Sequence, residues 1–254
     1  AASIILYAKW TALPFAVSFN ANGGTGTKTN LAIVAGTAST IVNNTEITRA
    51  GYTFTGWNTA ADNTGTTYGN TGSITAYSNV VLYAIWTIKA PAVPTVSAAA
   101  GNGEATISIT SSLLGTSTNG APASFTITAL DSSGAALSPA KTCTVITPAT
   151  SCVITGLSNT VGYKFSATAT NAGGTSTAGA ASTTVTPAGF GVTYNVAANG
   201  GTTGTASATF NAGTPLVLPA ATRNGYTFAG WYSAASGGTL IGPAGGSYSP
   251  TASA

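Results

Sequence analysis

The side chains that carry acid–base, nucleophilic and metal chemistry are scarce in this sequence. Histidine, the commonest general base and a frequent metal ligand, is absent from all 254 residues. Only four carboxylates occur, at Glu46, Asp62, Glu104 and Asp131. Hydrolysis of a glycoside needs two acids facing each other across a cleft, and Ser or Thr needs a basic partner to become a nucleophile. The sequence therefore predicts that the protein is not an enzyme and has no catalytic residues.

The loops that resemble ion-binding loops are weak candidates. Residues 62–66, Asp-Asn-Thr-Gly-Thr, hold one acid, whereas a calcium loop presents several oxygen ligands with multiple acids. The Asn-Gly-Gly loops at 22–24 and 199–201 lack the Lys and the following helix of a phosphate site. We interpret all three segments as turns, and we expect no metal and no cofactor.

The two cysteines, Cys143 and Cys152, lie close together in the sequence. Two thiols without a histidine cannot complete the four-ligand shell of a zinc site. A disulfide formed in an oxidising compartment is the favoured interpretation, and free thiols are the alternative. Such a bond would join neighbouring strands. By closing a short loop, it would contribute roughly 3 kcal/mol to stability in the chain-entropy estimate.

The composition bounds the class of protein. Charged residues make up 4% of the chain and apolar residues 44%, the reverse of the balance in disordered proteins, so the chain is expected to fold. The seven basic residues are scattered singly, which argues against nucleic-acid binding. No run approaches the ~20 apolar residues of a membrane span. Weak like-charge repulsion between copies favours assembly. Without an initiator Met or an export signal, we expect a processed or excised segment.

Alternation of apolar and polar residues with a period of two predicts β-strands through most of the chain. Examples are residues 15–19, 106–110, 124–128 and 163–169. Turn signals such as Asn-Gly at 119–120 separate these runs. No window keeps apolar residues at helical spacing, so any helix is expected to be short.

An internal repeat organises the chain. Residues 15–87 and 190–254 share, in the same order, an aromatic-flanked strand, a Gly-rich turn, a single Arg and a Gly-Tyr-Thr-Phe-x-Gly-Trp block. Residues 91–187 between them differ in character and lack Trp. The Pro-containing linkers 89–94 and 186–189 are short and stiff, which favours an extended string of modules.

The outer units resemble the Listeria-Bacteroides repeat, also called the internalin B-type repeat. The resemblance rests on the Asn-Gly-Gly, Gly-Tyr-Thr-Phe-x-Gly-Trp and Leu-Tyr-Ala-x-Trp-Thr elements. It covers nearly all of 15–88, and all of 190–254 except a last strand. It implies small β-grasp-like domains of secreted or wall-attached bacterial proteins, and therefore an extracellular or cell-surface location.

The middle segment, 91–187, resembles a bacterial fibronectin type III domain. Its clearest mark is the run 155–165, Thr-Gly-Leu-Ser-Asn-Thr-Val-Gly-Tyr-Lys-Phe. The resemblance implies a β-sandwich in which Leu157 fills the bottom and the Tyr163 hydroxyl anchors the corner of the next strand. The family's early-strand Trp is absent, and Ile109 lies near its expected position. The predicted fold class is all-β dominant, with three small modules in a row: a β-grasp-like repeat, a fibronectin type III-like sandwich, and a second β-grasp-like repeat lacking its last strand.

The aromatic residues of the Gly-Tyr-Thr-Phe block have two interpretations. Tyr52, Phe54 and Trp57 are predicted to build the small core of the first repeat, and Trp231 has the same place in the second. An exposed aromatic platform for sugar binding is the alternative.

The sequence pattern of the last strand occurs twice, once at the end of the first repeat and once before it, but not in the second repeat. Residues 80–87, Val-Val-Leu-Tyr-Ala-Ile-Trp-Thr, recur as Ile-Ile-Leu-Tyr-Ala-Lys-Trp-Thr at 4–11, whereas the second repeat has no such strand before residue 254. We expect residues 1–11 to be the closing strand of a preceding repeat, and residues 1–11 of another copy to complete 190–254. The predicted assembly strand comprises Ile4, Ile5, Leu6, Tyr7 and Trp10, and the predicted acceptor region comprises Gly225, Tyr226, Phe228 and Trp231.

These features predict a structural subunit of a bacterial extracellular filament or surface fibre. Its partners would be other copies of itself, joined head to tail by strand complementation or by covalent continuity in a tandem array. A host or neighbouring-cell surface, or a glycan, is a further candidate partner. The alternatives are the stalk of a cell-surface adhesin, a carbohydrate-binding accessory region of a secreted enzyme, and an arbitrary boundary of the sequence.

Overall fold

Strands account for nearly all the regular structure of this protein. A computed structural model describes residues 3–110 and 120–250; the predicted turn residue Asn119 and the outermost residues of the predicted terminal segments, 1–2 and 251–254, lie outside the described residues. No α-helix occurs in the described part, and its one 3-10 helix spans Ala197–Asn199, so the all-β prediction is confirmed. No helix there has the length and apolar character needed to cross a membrane.

The chain separates into two compact units. One contains residues 1–92 together with 112–123 and 169–176, and the other contains residues 93–111, 124–168 and 177–254. The division into modules at 15–88, 91–187 and 190–254 therefore stays a prediction.

The first repeat, residues 15–88, is built on one five-stranded sheet with the order β2-β1-β7-β4-β5. Strand β7 is central, parallel to β1 on one side and antiparallel to β4 on the other. Strands β3 and β6 pair separately. The strands are β1 (Pro14–Asn20), β2 (Leu31–Val34), β3 (Ser39–Thr40), β4 (Tyr52–Asn58), β5 (Thr67–Tyr68), β6 (Ser73–Ile74) and β7 (Val80–Ile88).

The core of the first repeat depends on this central strand. Leu82 and Ala84 of β7 are fully buried, whereas Val81, which precedes them, is exposed and Tyr83 between them is half-buried, as expected of a half-buried strand. They pack with Val17 and Trp57 into one apolar cluster. A fully buried side chain of Leu size contributes about 1.5–3 kcal/mol, so Leu82 is a substantial part of this core.

The middle segment forms two sheets. A four-stranded sheet has the order β11-β10-β13-β14, and a three-stranded sheet has the order β12-β9-β8. Phe125, Ile127 and Phe165 from the first sheet and Ile107 from the second are buried. The strands are β8 (Val96–Ala100), β9 (Glu104–Ile109), β10 (Ser124–Asp131), β11 (Thr142–Ile146), β12 (Ser151–Thr155), β13 (Tyr163–Asn171) and β14 (Gly174–Thr175).

The disulfide predicted between Cys143 and Cys152 is present, with the two Cα atoms 6.4 Å apart. It joins neighbouring strands as predicted, since Cys143 lies in β11 and Cys152 in β12, and these consecutive strands are the edge strands of different sheets. The chain leaves one sheet after β11 and enters the other at β12. The bond therefore links the two sheets at one edge.

The residues singled out by the fibronectin type III resemblance lie where it implied. Leu157 and Tyr163 are both buried. The Tyr163 hydroxyl accepts a hydrogen bond from the Ser158 backbone N–H at 3.1 Å, which fixes the turn before β13. Ile109 is half-buried at the end of β9.

The second repeat, from residue 190, has no sheet wider than two strands. Its pairs are β15 with β17, β16 with β19, β18 with β22, and β20 with β21. By sequence position, β15 and β17 match β1 and β2, and β20 and β21 match β4 and β5. In the first repeat β7 pairs with both β1 and β4 and joins them into one sheet. In the described residues of the second repeat, no strand pairs with both β15 and β20. The strands are β15 (Phe190–Thr193), β16 (Thr202–Thr203), β17 (Ser207–Phe210), β18 (Leu216–Val217), β19 (Ala221–Thr222), β20 (Trp231–Tyr232), β21 (Leu240–Gly242) and β22 (Ser247–Tyr248).

Candidate assembly site

The first repeat shows how a complete repeat holds its last strand. The Trp86 indole N–H donates to the Ala21 carbonyl at 2.9 Å, and the Asn22 side-chain amide donates to the Ala84 carbonyl at 3.0 Å. The Trp86 ring also meets Phe54 edge-on, with ring centroids 5.5 Å apart. Side-chain contacts therefore reinforce the backbone pairing on both sides of β7.

A glycine in the Asn-Gly-Gly loop makes room for the Trp86 ring. A Cβ atom added to Gly24 would lie 2.7 Å from Cζ2 of Trp86 and 2.8 Å from the Thr48 carbonyl oxygen. Both distances are shorter than real Cβ contacts, so the requirement for glycine here is steric. Sequence reasoning interpreted this loop only as a hairpin turn and missed its role beside Trp86.

The second repeat assembles the same aromatic cluster without a last strand. The Phe228 and Trp231 ring centroids are 5.5 Å apart with an interplanar angle of 68°, close to the 5.0 Å and 65° of Phe54 and Trp57. Tyr194 contacts Trp231 at 5.0 Å, in the place that Phe19 takes against Trp57. The geometry of the predicted acceptor aromatics is therefore already formed.

The exposure of this cluster differs between the repeats. Trp57 is 0% exposed, whereas its counterpart Trp231 is only half-buried; Phe228 is half-buried in the same way as its counterpart Phe54. The Trp231 indole N–H donates to the Pro219 carbonyl at 2.8 Å, so its polar atom is satisfied while part of its ring stays open. The Trp231 ring therefore leaves more apolar surface open than the Trp57 ring does.

A groove of about 730 Å³ lies over these half-buried rings. We call it the acceptor groove. It lies between the end of β15 with the loop that follows it and the segment leading into β20, and it includes most of the predicted acceptor region. Gly225, at the turn before it, has a φ of +78° and is not part of the lining. Its lining includes Thr193, Asn199, Gly201, Tyr226, Phe228 and Trp231.

The predicted assembly strand, residues 4–11, is called the donor strand here. It has no paired neighbour within the described chain, and the side chains of Leu6 and Trp10 are 89% and 91% exposed. Leu82, which has the place of Leu6 in the first repeat, is 0% exposed. Ile4, Ile5 and Tyr7 are exposed as well. Residues 3–13 therefore present an apolar surface to solvent.

The single Arg before each Gly-Tyr-Thr-Phe block stacks on the tyrosine of that block. The Arg49 guanidinium lies 3.9 Å from the Tyr52 ring centroid, and Arg223 lies 3.8 Å from that of Tyr226. Tyr52 is half-buried under this contact and outside the buried cluster, so its predicted place in the core is wrong. Phe54 and Trp57 do pack in the core, as predicted. The position of the Arg was the only signal of this stacking in the sequence.

The four carboxylates occur in different local settings, and Glu104 is a half-buried residue of β9. The Thr64 hydroxyl donates to the Asp62 carboxylate at 2.6 Å and lowers the pKa of Asp62. The Ser133 hydroxyl lowers the pKa of Asp131 in the same way. Within residues 3–110 and 120–250, no group of three His, Cys, Asp or Glu side chains is placed to hold a metal ion. Asp62 and Asp131 accept hydrogen bonds within turns, Glu46 forms an ion pair with Lys28 at 3.8 Å, and Glu104 begins β9.

The sequence of both outer units matches one family model. The model of the Listeria-Bacteroides repeat domain matches residues 15–85 and 190–250, together more than half of the chain. The chain belongs to the Listeria-Bacteroides repeat family. In the first Listeria-Bacteroides repeat the match ends within β7, and in the second it covers the segment in which the sheet is divided.

Similarity to individual proteins is weaker than this family match. No curated protein matches the chain in sequence. Solved structures with similarity include the FN1–FN3 domains of chicken CNTN1, with a TM-score of 0.32 and 16% identity over 49% of this chain and 39% of that one. The fn3 domain of human collagen alpha-1(XX) chain gives a TM-score of 0.31 and 23% identity over 39% of this chain and 90% of that one. Both TM-scores are below 0.5.

Proposed function

We propose that the protein is a structural, non-catalytic subunit of a bacterial extracellular filament or surface fibre. In this proposal, its copies join head to tail when the donor strand of one copy completes the second repeat of the next. The family supports a structural region of a surface protein, and the disulfide fits an oxidising location outside the cell. The middle segment would act as a fibronectin type III-like spacer between the two repeats.

The observation that carries the proposal is the match between a divided sheet and an exposed strand. The second repeat has two separate strand pairs where the first repeat has one sheet. The donor strand repeats the Leu-Tyr-Ala-x-Trp-Thr pattern of the strand that unites that sheet. Strand addition between two open edges would satisfy backbone groups on both sides and cover the half-buried Trp231 ring.

The hydrophobic effect supplies a driving force of useful size. Burying Leu6 and Trp10 as their counterparts are buried would contribute on the order of 1.5–3 kcal/mol for each side chain. The low charge of the chain, 4% of residues, leaves little electrostatic repulsion between copies. In a longer chain of tandem copies, the next copy would supply the same strand through a covalent link.

The state of assembly of the purified chain tests this proposal. We expect oligomers that lengthen with concentration in light scattering and appear as filaments by electron microscopy. The variant Leu6→Asp should shift the distribution toward monomer, because the charged side chain would have to enter the core. Ile5→Ser is the matched control, since its counterpart Val81 faces solvent in the first repeat.

Two outcomes would contradict head-to-tail assembly. A monomer at all concentrations with a quencher-accessible Trp10 would favour the adhesin-stalk function. A monomer with a shielded Trp10 would mean that the donor strand closes on its own chain.

A further inference from the structure

We infer that the acceptor groove takes residues 4–11 of a second copy in one register only, selecting an extended strand with a small residue at position 8 and a Trp at position 10. This inference rests on the proposed function and adds to it the residues that recognise the partner. It follows from the pairing of the first repeat, from the fit of two side chains, and from a loop that differs between the repeats.

The register is set by the two neighbours of β7 in the first repeat. On the parallel side, Val17 pairs with Val80 and Phe19 with Leu82. On the antiparallel side, the register places residues of β7 opposite the aromatic residues of β4: Phe54 is opposite Trp86, and Trp57 is opposite Ala84.

Transferred to the second repeat, these pairings place each donor residue. The donor strand lies parallel to β15, with Leu6 opposite Tyr194. It lies antiparallel to residues 226–232, with Trp10 opposite Phe228 and Ala8 opposite Trp231. Because side chains alternate between the faces of a strand, Leu6, Ala8 and Trp10 all enter the core in this register. A slip of one residue would bury Lys9 and Tyr7 in their place.

Trp10 is the anchor of the docked strand. Its counterpart Trp86 lies against Gly24, and the matching position in the second repeat is Gly201. Around the position of a Cβ on Gly201, the nearest atoms are the Thr222 carbonyl oxygen at 3.2 Å and Cβ of Val196 at 3.6 Å, with no aromatic ring. The second repeat therefore has the glycine that makes room for an indole, but none of the nearest atoms at this glycine belongs to an indole ring.

Ala8 acts as the size filter. Its counterpart Ala84 is 0% exposed and lies opposite the fully buried Trp57. Trp231 already has the same aromatic neighbours as Trp57, so a side chain much larger than Ala at position 8 would collide with this cluster. Overpacking of this kind is destabilising in closely packed cores.

The Asn-Gly-Gly loop is the part of the groove that changes on docking. In the first repeat the Gly24 N–H donates to the Ala21 carbonyl at 2.9 Å. In the second repeat the Gly201 N–H donates instead to the Val196 carbonyl at 3.0 Å, and Ala197–Asn199 form a 3-10 helix. Docking converts this turn into the form of the first repeat, in which the Asn199 amide reaches the Ala8 carbonyl as Asn22 reaches that of Ala84.

Engineered disulfides between two copies test the register. Thr11 and Thr227 match the outward-facing pair Thr87 and Thr53 of the first repeat, and the side chains of both are exposed here. We would mix the Thr11→Cys and Thr227→Cys proteins under mild oxidation with diamide. The chain's own cysteines are already paired, so the introduced thiols are the free ones. The mixture should form cross-linked heterodimers at least about tenfold faster than either protein alone.

The control is a pair displaced by two residues on the same face, Lys9→Cys with Thr227→Cys. A disulfide needs Cβ atoms roughly 3.5–4.5 Å apart, and diagonal cross-strand neighbours lie about 7–8 Å apart. Cross-linking of this pair as fast as that of the matched pair would overturn the single register. Assembly would remain in that case, so the proposed function would stand while this inference failed.

A second variant tests the size filter independently of the cross-link. Ala8→Leu should weaken assembly by about tenfold or more, whereas Ile5→Leu, on the outward face, should leave it unchanged. Equal assembly of both variants would overturn the role of Ala8. If the unmodified chain does not assemble at all, the proposed function itself fails.

Discussion

Single residues in this chain show how burial, more than residue type, sets the contribution of a side chain. Leu82 and Leu6 occupy the same position of the same strand pattern, yet one is 0% exposed and the other 89%. The free energy gained from an apolar side chain scales with the area it removes from water. The two leucines are therefore a natural matched pair for measurement.

We expect Leu82→Ala to lower the stability of the first repeat by about 2–5 kcal/mol, because it removes a fully buried side chain and leaves a cavity. Leu6→Ala should leave the free energy of unfolding of the monomer within about 0.5 kcal/mol of the original. Urea denaturation of dilute protein measures both. A large loss of monomer stability in Leu6→Ala would mean that this side chain is buried within its own chain.

The contact between Gly24 and the Trp86 ring makes a second prediction at this scale. Gly24→Ala should destabilise the first repeat by about 1–3 kcal/mol, since the added methyl would overlap both the indole and a backbone carbonyl. Gly204→Ala is the control, because no atom lies within 4 Å of its Cβ position. Thermal unfolding should show a lower Tm for Gly24→Ala and an unchanged Tm for Gly204→Ala.

The elements of the chain were predictable where a local pattern specified them. Strand alternation, the paired cysteines and the repeated Gly-Tyr-Thr-Phe block all lie within short stretches of sequence, and they indicated the all-β fold and the disulfide. The sheet partners of Cys143 and Cys152 depend on which sheet each strand joins, which a pattern of alternation does not encode. The same limit explains Tyr52, whose environment depends on the stacking of Arg49 across a turn.

The loops at one end of the middle segment are joined to the second repeat by side-chain amides. The Asn159 amide donates to Oδ1 of Asn102 at 2.8 Å and to Oδ1 of Asn211 at 2.7 Å. Oδ1 of Asn102 also accepts the backbone N–H of Ala212 at 3.0 Å. These bonds connect segments more than fifty residues apart, and no sequence pattern marked them.

Removal of the central amide should loosen this connection. We expect Asn159→Ala to reduce hydrogen-exchange protection of the Ala212 amide by about 10–100-fold, because a net loss of 1–3 kcal/mol is typical when hydrogen-bond partners are left unsatisfied. Asn195→Ala, outside this cluster, is the control. Unchanged protection of Ala212 in Asn159→Ala would show that the amide cluster does not hold the two segments together.

For the whole molecule, the presence of only four carboxylates and no histidine predicts a wide pH range of stability. The hydrogen bonds that lower the pKa of Asp62 and Asp131 below 3.8 stabilise the folded chain when those groups are ionised. This contribution is present above the unfolded pKa and is lost as the pH falls through the folded value. Histidine is absent, so no histidine side chain adds a change near neutrality.

Thermal unfolding between pH 2 and pH 9 checks this expectation. The Tm should stay nearly constant from about pH 5 to pH 9 and decline only below about pH 4. The double variant Asp62→Asn, Asp131→Asn should reduce the decline. A steep change in Tm between pH 5 and pH 8 would contradict it.

The parallel arrangement of β1 and β7 has a mechanical consequence for a fibre assembled as proposed. In the joint, tension would act on the donor strand of one copy at its C-terminal end, where that chain continues into β1. It would act on β15 of the other copy at its N-terminal end, where the linker enters. Two parallel strands pulled from opposite ends slide past each other, so all the hydrogen bonds between them share the load at once. A central parallel strand thus gives a joint loaded in shear, which resists tension far better than one that unzips bond by bond.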